Sequence, residues 1–163
     1  MNRDLQISSY VLDMMLRHAE REYPNEACGI VIGPIGKDIA LGVFPVRNIQ
    51  DELHQKDPER YPREAKTAYQ MDPREVAIVE KEAKSKGFEL KLFYHSHPDH
   101  GVYFSEEDKA MACPWGEPSY PSVGHLVIGV ERGQAVAASV FFWDEEKKDF
   151  VERKLIKGEN HGH

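Results

Sequence analysis

Residues 88–108 read FELKLFYHSHPDHGVYFSEED and combine a strand, a break in the chain and a helix start. The beginning alternates as a strand should, so the side chains of His95 and His97 leave one face about 6.6 Å apart. Pro98 has no N–H for the strand ladder, so it ends the strand. The SEED at 105–108 is typical of a helix N-terminus, with a serine cap and an acid three positions later.

The two histidines are candidate metal ligands. Two imidazoles placed in this way can converge on one ion, since zinc binds nitrogen at about 2.0–2.1 Å. Asp108 follows His97 by eleven residues and is the candidate third ligand, because a turn at Pro98 can bring it back. Two histidines and one carboxylate leave a fourth position for water, as in catalytic zinc sites.

A purely local interpretation of these residues is also open. An H-x-H pair on a strand is weak evidence for metal, and Ser105 and Asp108 can serve only to cap the helix. Capping leaves the hydroxyl proton of Ser105 free, but it is expected to turn the Asp108 carboxylate away from the metal. We interpret His100 as a solvated loop residue and Cys28 as a small core residue.

The bulk composition excludes several classes of protein. The chain has 163 residues, a net charge of −7 and a pI near 5.6, which disfavours a nucleic-acid partner. No apolar run approaches the roughly 18 residues of a membrane span, and the first residues do not resemble a signal peptide. With two cysteines and no such signal, we expect a reducing cytoplasm rather than a disulfide.

The flanking sequence predicts an α/β fold, a mixed sheet with two or three helices. Ser8 or Ser9 can cap one helix, and Asp72 with Pro73 begins another that Gly87 ends. The predicted helices are 8–22, 72–87 and 105–112. The predicted strands are EACGIVIG, 39–49, 88–97, HLVIGVE, AVAASVFFW and FVERKLI. We expect Pro45 to place part of the strand 39–49 at a sheet edge. Within 88–97 we expect one face to carry Phe88, Leu90, Leu92 and Tyr94.

We expect one domain over residues 1–157. Neither side of the polar segment 51–66 could form a complete domain alone, so we interpret that segment as an insertion loop. The last residues, 158–163, are expected to form a flexible tail.

The order of these parts resembles the JAMM, or MPN-plus, metallopeptidase motif. The family pattern is a glutamate, then HSHP or HTHP, then six residues, then SxxD; here the six are DHGVYF. The segments YPNEACGIVIG and YQMDP also look like the small bacterial and archaeal branch of the family. The resemblance covers about residues 8–156 and implies the MPN, cytidine-deaminase-like, fold.

The resemblance also implies a role for each residue of the motif. It makes His95, His97 and Asp108 the ligands of one Zn²⁺ per chain. Glu26 looks like the general acid/base acting on a zinc-activated water, and Ser105 like the hydroxyl that stabilises the oxyanion.

The implied function is hydrolysis of the amide bond after the C-terminal Gly-Gly of a ubiquitin-like or sulfur-carrier protein. The segment 51–66 would be the partner-binding flap. The leaving group stays open among a lysine side chain, a peptide and a single amino acid, and a homodimer also stays open. The alternatives are a non-catalytic MPN scaffold or docking module, and a RadC-like protein, which usually carries an additional N-terminal helical region.

Overall fold

A computed structural model of the chain describes residues 4–153 and 155–158. The mixed α/β fold is confirmed, with four helices in the described residues where two or three were expected. In chain order the elements are β1 (Leu5–Ser8), α1 (Ser9–Glu22), β2 (Cys28–Pro34), β3 (Ile39–Ala40), β4 (Gly42–Val46), α2 (Gln50–Lys56), α3 (Pro73–Ser85), β5 (Phe88–Pro98), α4 (Glu106–Ala112), β6 (Gly124–Glu131), β7 (Gln134–Asp144), β8 (Asp149–Arg153) and β9 (Leu155–Gly158). The predicted tail lies outside the described residues except for Gly158.

The main sheet has six strands in the order β4-β2-β5-β6-β7-β8. Strands β5 and β6 are parallel and the other neighbours are antiparallel, so the sheet is mixed as predicted. Strand β2 is central and buried up to its last residue, as its continuous apolar run indicates. Pro45 is exposed on β4, an edge strand, where its missing N–H leaves no gap in the ladder.

A second, parallel sheet of three short strands, in the order β3-β1-β9, was not expected from the sequence. It divides the predicted strand 39–49. Ile39–Ala40 pairs with β1, whereas Gly42–Val46 pairs with β2 of the main sheet. Strands of two and four residues are too short for an alternating pattern to identify them.

The two longest helices cover opposite faces of the main sheet. Met15 of α1 belongs to the buried cluster that contains Tyr94, and Val79 of α3 belongs to the cluster that contains Phe93. Because Phe93 and Tyr94 are consecutive on β5, their side chains point to opposite faces. Complete burial of a side chain of this size stabilises the fold by about 1.5–3 kcal/mol. None of the described helices is both long and apolar enough to cross a membrane.

The predicted helix starts are confirmed. The Ser8 hydroxyl accepts a hydrogen bond from the N–H of Val11 at 3.1 Å. The Asp72 carboxylate accepts one from the N–H of Arg74 at 3.0 Å, and Pro73 is the first helical residue. Both caps satisfy backbone donors that a helix N-terminus otherwise leaves unpaired.

The segment 51–66 is not a loop throughout, because α2 occupies most of its first half. Asp51 and Glu52 lie in the first turn, where negative charge interacts favourably with the helix dipole. The side-chain oxygen of Asn48 accepts the N–H of Gln50 at 3.0 Å. These two effects favour a helix in a sequence whose polar composition indicated an insertion loop.

The expectation that the apolar residues of β5 share one face is wrong near the start of the strand. Val31 of β2 pairs with Leu92, whereas the next residue pairs with Leu90. Lys91 is therefore the extra residue of a β-bulge. Leu90 consequently packs with the α3 cluster and Leu92 with the α1 cluster. From Leu92 onward the alternation holds, and it carries the histidines to the predicted face.

Candidate metal centre and active site

Strand β5 brings His95 and His97 together at its C-terminal end. Both side chains are buried, with relative exposures of 0% and 2%. Their Nε2 atoms lie 3.2 Å apart, so the two rings converge on one point as the strand spacing predicts. The pairing of β5 with the central strands β2 and β6 fixes the backbone beneath them.

Asp108 completes a triangle of donor atoms from the first turn of α4. Its Oδ2 atom lies 3.1 Å from Nε2 of His95 and 3.2 Å from Nε2 of His97. The donors of a tetrahedral zinc site with bonds of about 2.0–2.1 Å are about 3.3 Å apart. The three observed separations fit that arrangement.

Asp108 also caps the helix. Its Oδ2 atom accepts the N–H of Ser105 at 3.1 Å, and the Ser105 hydroxyl accepts the N–H of Asp108 at 3.0 Å. The expectation that capping turns this carboxylate away from the histidines is therefore wrong. A carboxylate oxygen has more than one lone pair, so the same atom reaches the cap and faces the histidines.

The hydrogen bonds of the site favour a cation at its centre. Nδ1 of His97 lies 3.1 Å from the carbonyl oxygen of Gly101, so it carries the proton and donates. In the neutral ring Nε2 is then a bare lone pair directed at the Asp108 carboxylate and at His95. Acceptor atoms so close repel one another unless a metal ion or a proton lies between them. The donor set therefore fits Zn²⁺, which binds imidazole and carboxylate.

Burial and neighbouring charge act on the protonation of these groups. Burial lowers the pKa of His95, which favours the neutral imidazole that a metal requires. Burial acts to raise the pKa of Asp108, but the contacts with His95 and His97 outweigh it and hold that pKa well below its ordinary range. The site thus favours a neutral His95 ring and an ionised Asp108 carboxylate.

Glu26 lies two residues before β2 and is also buried, with a relative exposure of 2%. One of its carboxylate oxygens lies within 4.8 Å of donor nitrogens on both His95 and His97. Burial, and then the negative charge of Asp108, raise the pKa of Glu26 to about 9, while Arg63 acts in the opposite direction. Glu26 therefore faces the donor set in a position where its protonation depends strongly on the charge beside it.

The segment 51–66 contributes to holding Glu26 in place. The N–H of Glu26 donates to the carbonyl oxygen of Ala65 at 2.7 Å, and Ala65 is buried. Arg63 donates to the carboxylate of Glu107 at 2.7 Å, and Glu107 precedes Asp108 in the chain. The insertion therefore passes close to the site and contacts both Glu26 and the first turn of α4.

Ser105 is half-buried at the N-cap of α4. Its hydroxyl oxygen is occupied by the N–H of Asp108, but its own proton is not used by the cap. The structure thus leaves Ser105 a donor that it can direct elsewhere, as predicted.

Tyr69 is a residue of the site that sequence reasoning missed. Its ring is buried and stacks on that of His95, with centroids 4.5 Å apart and planes at 22°. This tyrosine enters the family resemblance only as the first residue of YQMDP, which follows the insertion, and the resemblance gives it no role. The helix start at Asp72, three residues later, is a further signal that places it near the core.

The interpretation of His100 as a solvated loop residue is wrong. Its ring stacks on His97, with centroids 4.5 Å apart and planes at 21°. Its Nε2 atom lies 3.9 Å from Oε2 of Glu26, and the side chain is 34% exposed. The spacing of three histidines within six residues was the available signal, but alternation along a strand says nothing about residues beyond Pro98.

A cavity of about 400 Å³ lies near the donor set, although none of Glu26, His95, His97 and Asp108 lines it. Tyr69 forms part of its wall and contacts His95, so the cavity and the donor set are neighbours. The lining is largely apolar and comes from α3, α4, the loop after α4 and the sheet: Tyr69, Gln70, Met71, Pro73, Val76, Ala77, Glu80, Phe93, Met111, Ala112, Pro118, Ser119, Tyr120 and His125. Such a cavity suits an apolar side chain of a bound peptide.

Known proteins resemble this chain along most of its length. The family model of the prokaryotic homologues of the JAB domain, Prok-JAB, matches residues 8–145. The desampylase of Haloferax volcanii is 28% identical over 127 residues, covering 76% of this chain and 78% of that protein. The CysO-cysteine peptidase of Mycobacterium tuberculosis is 31% identical over 108 residues, and the match spans 66% of this chain and 65% of that protein.

The fold is similar to that of a solved structure. The crystal structure of a JAB1/MPN domain protein from Archaeoglobus fulgidus superimposes with a TM-score of 0.53. The match covers 95% of this chain and 100% of that chain at 16% identity, and it therefore concerns the fold alone.

Proposed function

Because this chain belongs to the Prok-JAB family, the prokaryotic homologues of the JAB domain, we propose that it is a zinc-dependent peptidase or isopeptidase. Its substrate would be a ubiquitin-like or sulfur-carrier protein, cut at the amide bond after a C-terminal Gly-Gly. The observation that carries the proposal is the triangle of donor atoms from His95, His97 and Asp108, with 3.1–3.2 Å edges, beside the buried Glu26.

His95, His97 and Asp108 would hold one Zn²⁺ per chain. When bound, such an ion lowers the pKa of a water in its open coordination position from 15.7 toward about 7. Glu26 would contact that water without serving as a ligand, since Asp108 would supply the carboxylate. The separations of the donor atoms, and the hydrogen bond between Nδ1 of His97 and the carbonyl oxygen of Gly101, support these assignments.

Glu26 would move the proton. Positive charge at the neighbouring donor set favours the ionised carboxylate, which is the form that can accept a proton from the attacking water. The protonated carboxyl group then hands that proton to the departing amine. Its burial and the raised pKa in the absence of a cation suit a group that changes protonation during the reaction.

Ser105 would stabilise the tetrahedral oxyanion. Its hydroxyl is held in place by the cap, while the proton remains available to donate. One donor of this kind typically contributes about 2.7–4 kcal/mol to stabilisation of the transition state.

The names of the relatives support the substrate class. One is called a desampylase and the other a CysO-cysteine peptidase. For this chain we propose a substrate of the same class, a small carrier protein whose extended C-terminal tail would lie beside the donor set. The apolar cavity next to Tyr69 would receive a side chain of the tail upstream of the glycines. The leaving group remains a lysine side chain, a peptide or a single amino acid.

The proposal is tested with a small β-grasp carrier protein that ends in Gly-Gly and is extended by a short peptide. Mass spectrometry of the mixture should show one cut, after the last glycine, which a zinc chelator abolishes. Glu26→Gln should lose the cut, whereas Glu22→Gln, at the exposed end of α1, should retain it. Cleavage by Glu26→Gln at the wild-type rate would contradict the mechanism. A protein that binds the carrier but never cuts it would instead be a docking module.

A further inference from the structure

His100 lies at the tip of a turn that is fixed from both sides. Asp99 and Gly101 adopt positive φ angles of 59° and 84°, a conformation that costs energy for a non-glycine residue such as Asp99. The Asp99 carboxylate accepts hydrogen bonds from the hydroxyl of Tyr23 and from the N–H of Arg132, the latter at 2.9 Å. These contacts stabilise the strained turn and place the ring of His100 over the site.

The polar edge of the His100 ring has no partner in the described part of the chain. Its Nε2 atom is buried and makes no hydrogen bond there. Oε2 of Glu26 lies 3.9 Å from this nitrogen, and the side chain of Glu26 is itself only 3% exposed. A buried polar atom without a hydrogen-bond partner destabilises the fold by about 1–3 kcal/mol. The pair formed by His100 and Glu26 therefore lacks one stabilising hydrogen bond.

The missing contact requires a small displacement. A hydrogen bond between an imidazole N–H and a carboxylate is about 2.7–3.2 Å long, so an approach of roughly 1 Å would form it. Stacking on His97 orients the ring, which leaves Nε2 directed at Glu26. The donor need only be the neutral ring with its proton on Nε2.

We propose that His100 is a positioning residue for Glu26, whose carboxylate it holds by a hydrogen bond from Nε2–H to Oε2 in the zinc-loaded protein. The inference rests on the proposed function of Glu26. One carboxylate oxygen would be held by His100, and the other would be left facing the His95 and His97 donors. The role requires no change in the charge of His100.

Two substitutions of His100 separate the hydrogen bond from the stacking. His100→Phe keeps a ring against His97 but removes the donor, whereas His100→Gln places an amide N–H near the position of Nε2. With the carrier fusion as substrate, His100→Phe should lower kcat by about 10–100-fold with little change in KM, as loss of a supporting hydrogen bond commonly does. His100→Gln should recover most of kcat. Both variants should retain one zinc per chain.

Equal kcat values for His100→Phe and the wild type would overturn the inference while leaving the proposed function intact. A wild-type protein that does not cut the fusion would overturn the proposed function instead. Proton NMR of the zinc-loaded protein then decides on His100 separately. The Nε2 proton of His100 should shift on Glu26→Ala but not on the control Glu22→Ala, and a proton unaffected by Glu26→Ala would overturn the inference.

Discussion

Oδ2 of Asp108 lies 3.1 Å from Nε2 of His95, although the two residues come from a helix and a strand that are separated by a turn. The same oxygen accepts the N–H of the helix cap at 3.1 Å. One atom thus fixes the start of α4 and closes the donor set, so formation of the helix and assembly of the site are coupled.

Because of this coupling, a substitution of Asp108 can remove the proposed metal ligand while it retains the helix cap. Asp108→Asn keeps an oxygen that can cap the helix but loses the negative charge, so we expect zinc content to fall sharply while α4 stays folded. The melting temperature of the wild type should drop on addition of a chelator, since a ligand at 100 times its Kd stabilises by about 2.7 kcal/mol. Calorimetry should find no such drop for Asp108→Asn, and an undiminished drop would argue against Asp108 as a ligand.

Ser105 can be tested so that capping and catalysis are distinguished. Ser105→Ala removes both the cap and the hydroxyl donor, whereas Ser105→Gly removes the donor at a cost of only a few tenths of a kcal/mol in capping. We expect both variants to lose about 10²–10³-fold in kcat. Only Ser105→Ala should lose about 1 kcal/mol in the free energy of unfolding. Full activity of Ser105→Gly would show that the hydroxyl acts on structure alone.

The raised pKa of Glu26 predicts how the stability of the metal-free protein depends on pH. The folded protein retains the proton up to a pKa of about 9, whereas the unfolded chain releases it near the ordinary value of 4.5. The protonated Glu26 therefore makes its full contribution to the free energy of unfolding below pH 4.5. This contribution is lost as the pH rises toward 9.

Glu26→Gln removes this titration. Without metal, the variant should unfold at higher denaturant concentration than the wild type at pH 8, with a gap in the free energy of unfolding of about 5 kcal/mol, and the gap should close near pH 5. Comparison at each pH cancels the groups that titrate alike in both proteins, and Glu22→Gln serves as the control. A gap that does not change with pH would contradict the raised pKa.

Tyr69 should act on the site through the packing of its ring. Tyr69→Ala removes the ring that stacks on His95 and should cost about 3–5 kcal/mol in the free energy of unfolding. Tyr69→Phe keeps the ring and should cost less than about 1.5 kcal/mol. Chemical denaturation of both variants, with zinc content measured in parallel, tests this. Equal stability of Tyr69→Ala and the wild type would show that the stacking is without consequence.

Local rules predicted the parts of the fold that repeat a simple pattern. Alternation along β5 placed His95 and His97 on one face, and cap chemistry placed the starts of α1 at Ser8 and of α3 at Asp72. The family resemblance, the MPN fold and a JAMM-type metallopeptidase are confirmed by the family match and the named relatives. The assignment of metal ligands and catalytic residues stays a prediction.

What the sequence did not predict depends on contacts between distant segments. The bulge at Lys91 shows only when β5 is paired with β2, and the short strand β1 exists only because β3 and β9 flank it. His100 was assigned to solvent because no periodic rule extends beyond Pro98. The turn that places its ring is held by Tyr23 and Arg132, far away in sequence.

The most direct test of the metal site is X-ray diffraction from crystals of the zinc-loaded protein, recorded at the zinc absorption edge. We expect one anomalous peak per chain, within about 2.0–2.2 Å of Nε2 of His95, Nε2 of His97 and a carboxylate oxygen of Asp108. Glu26 should be near the peak but not bonded to it. A peak bonded to Glu26 in place of Asp108, or none between the two histidines, would contradict the proposed metal site.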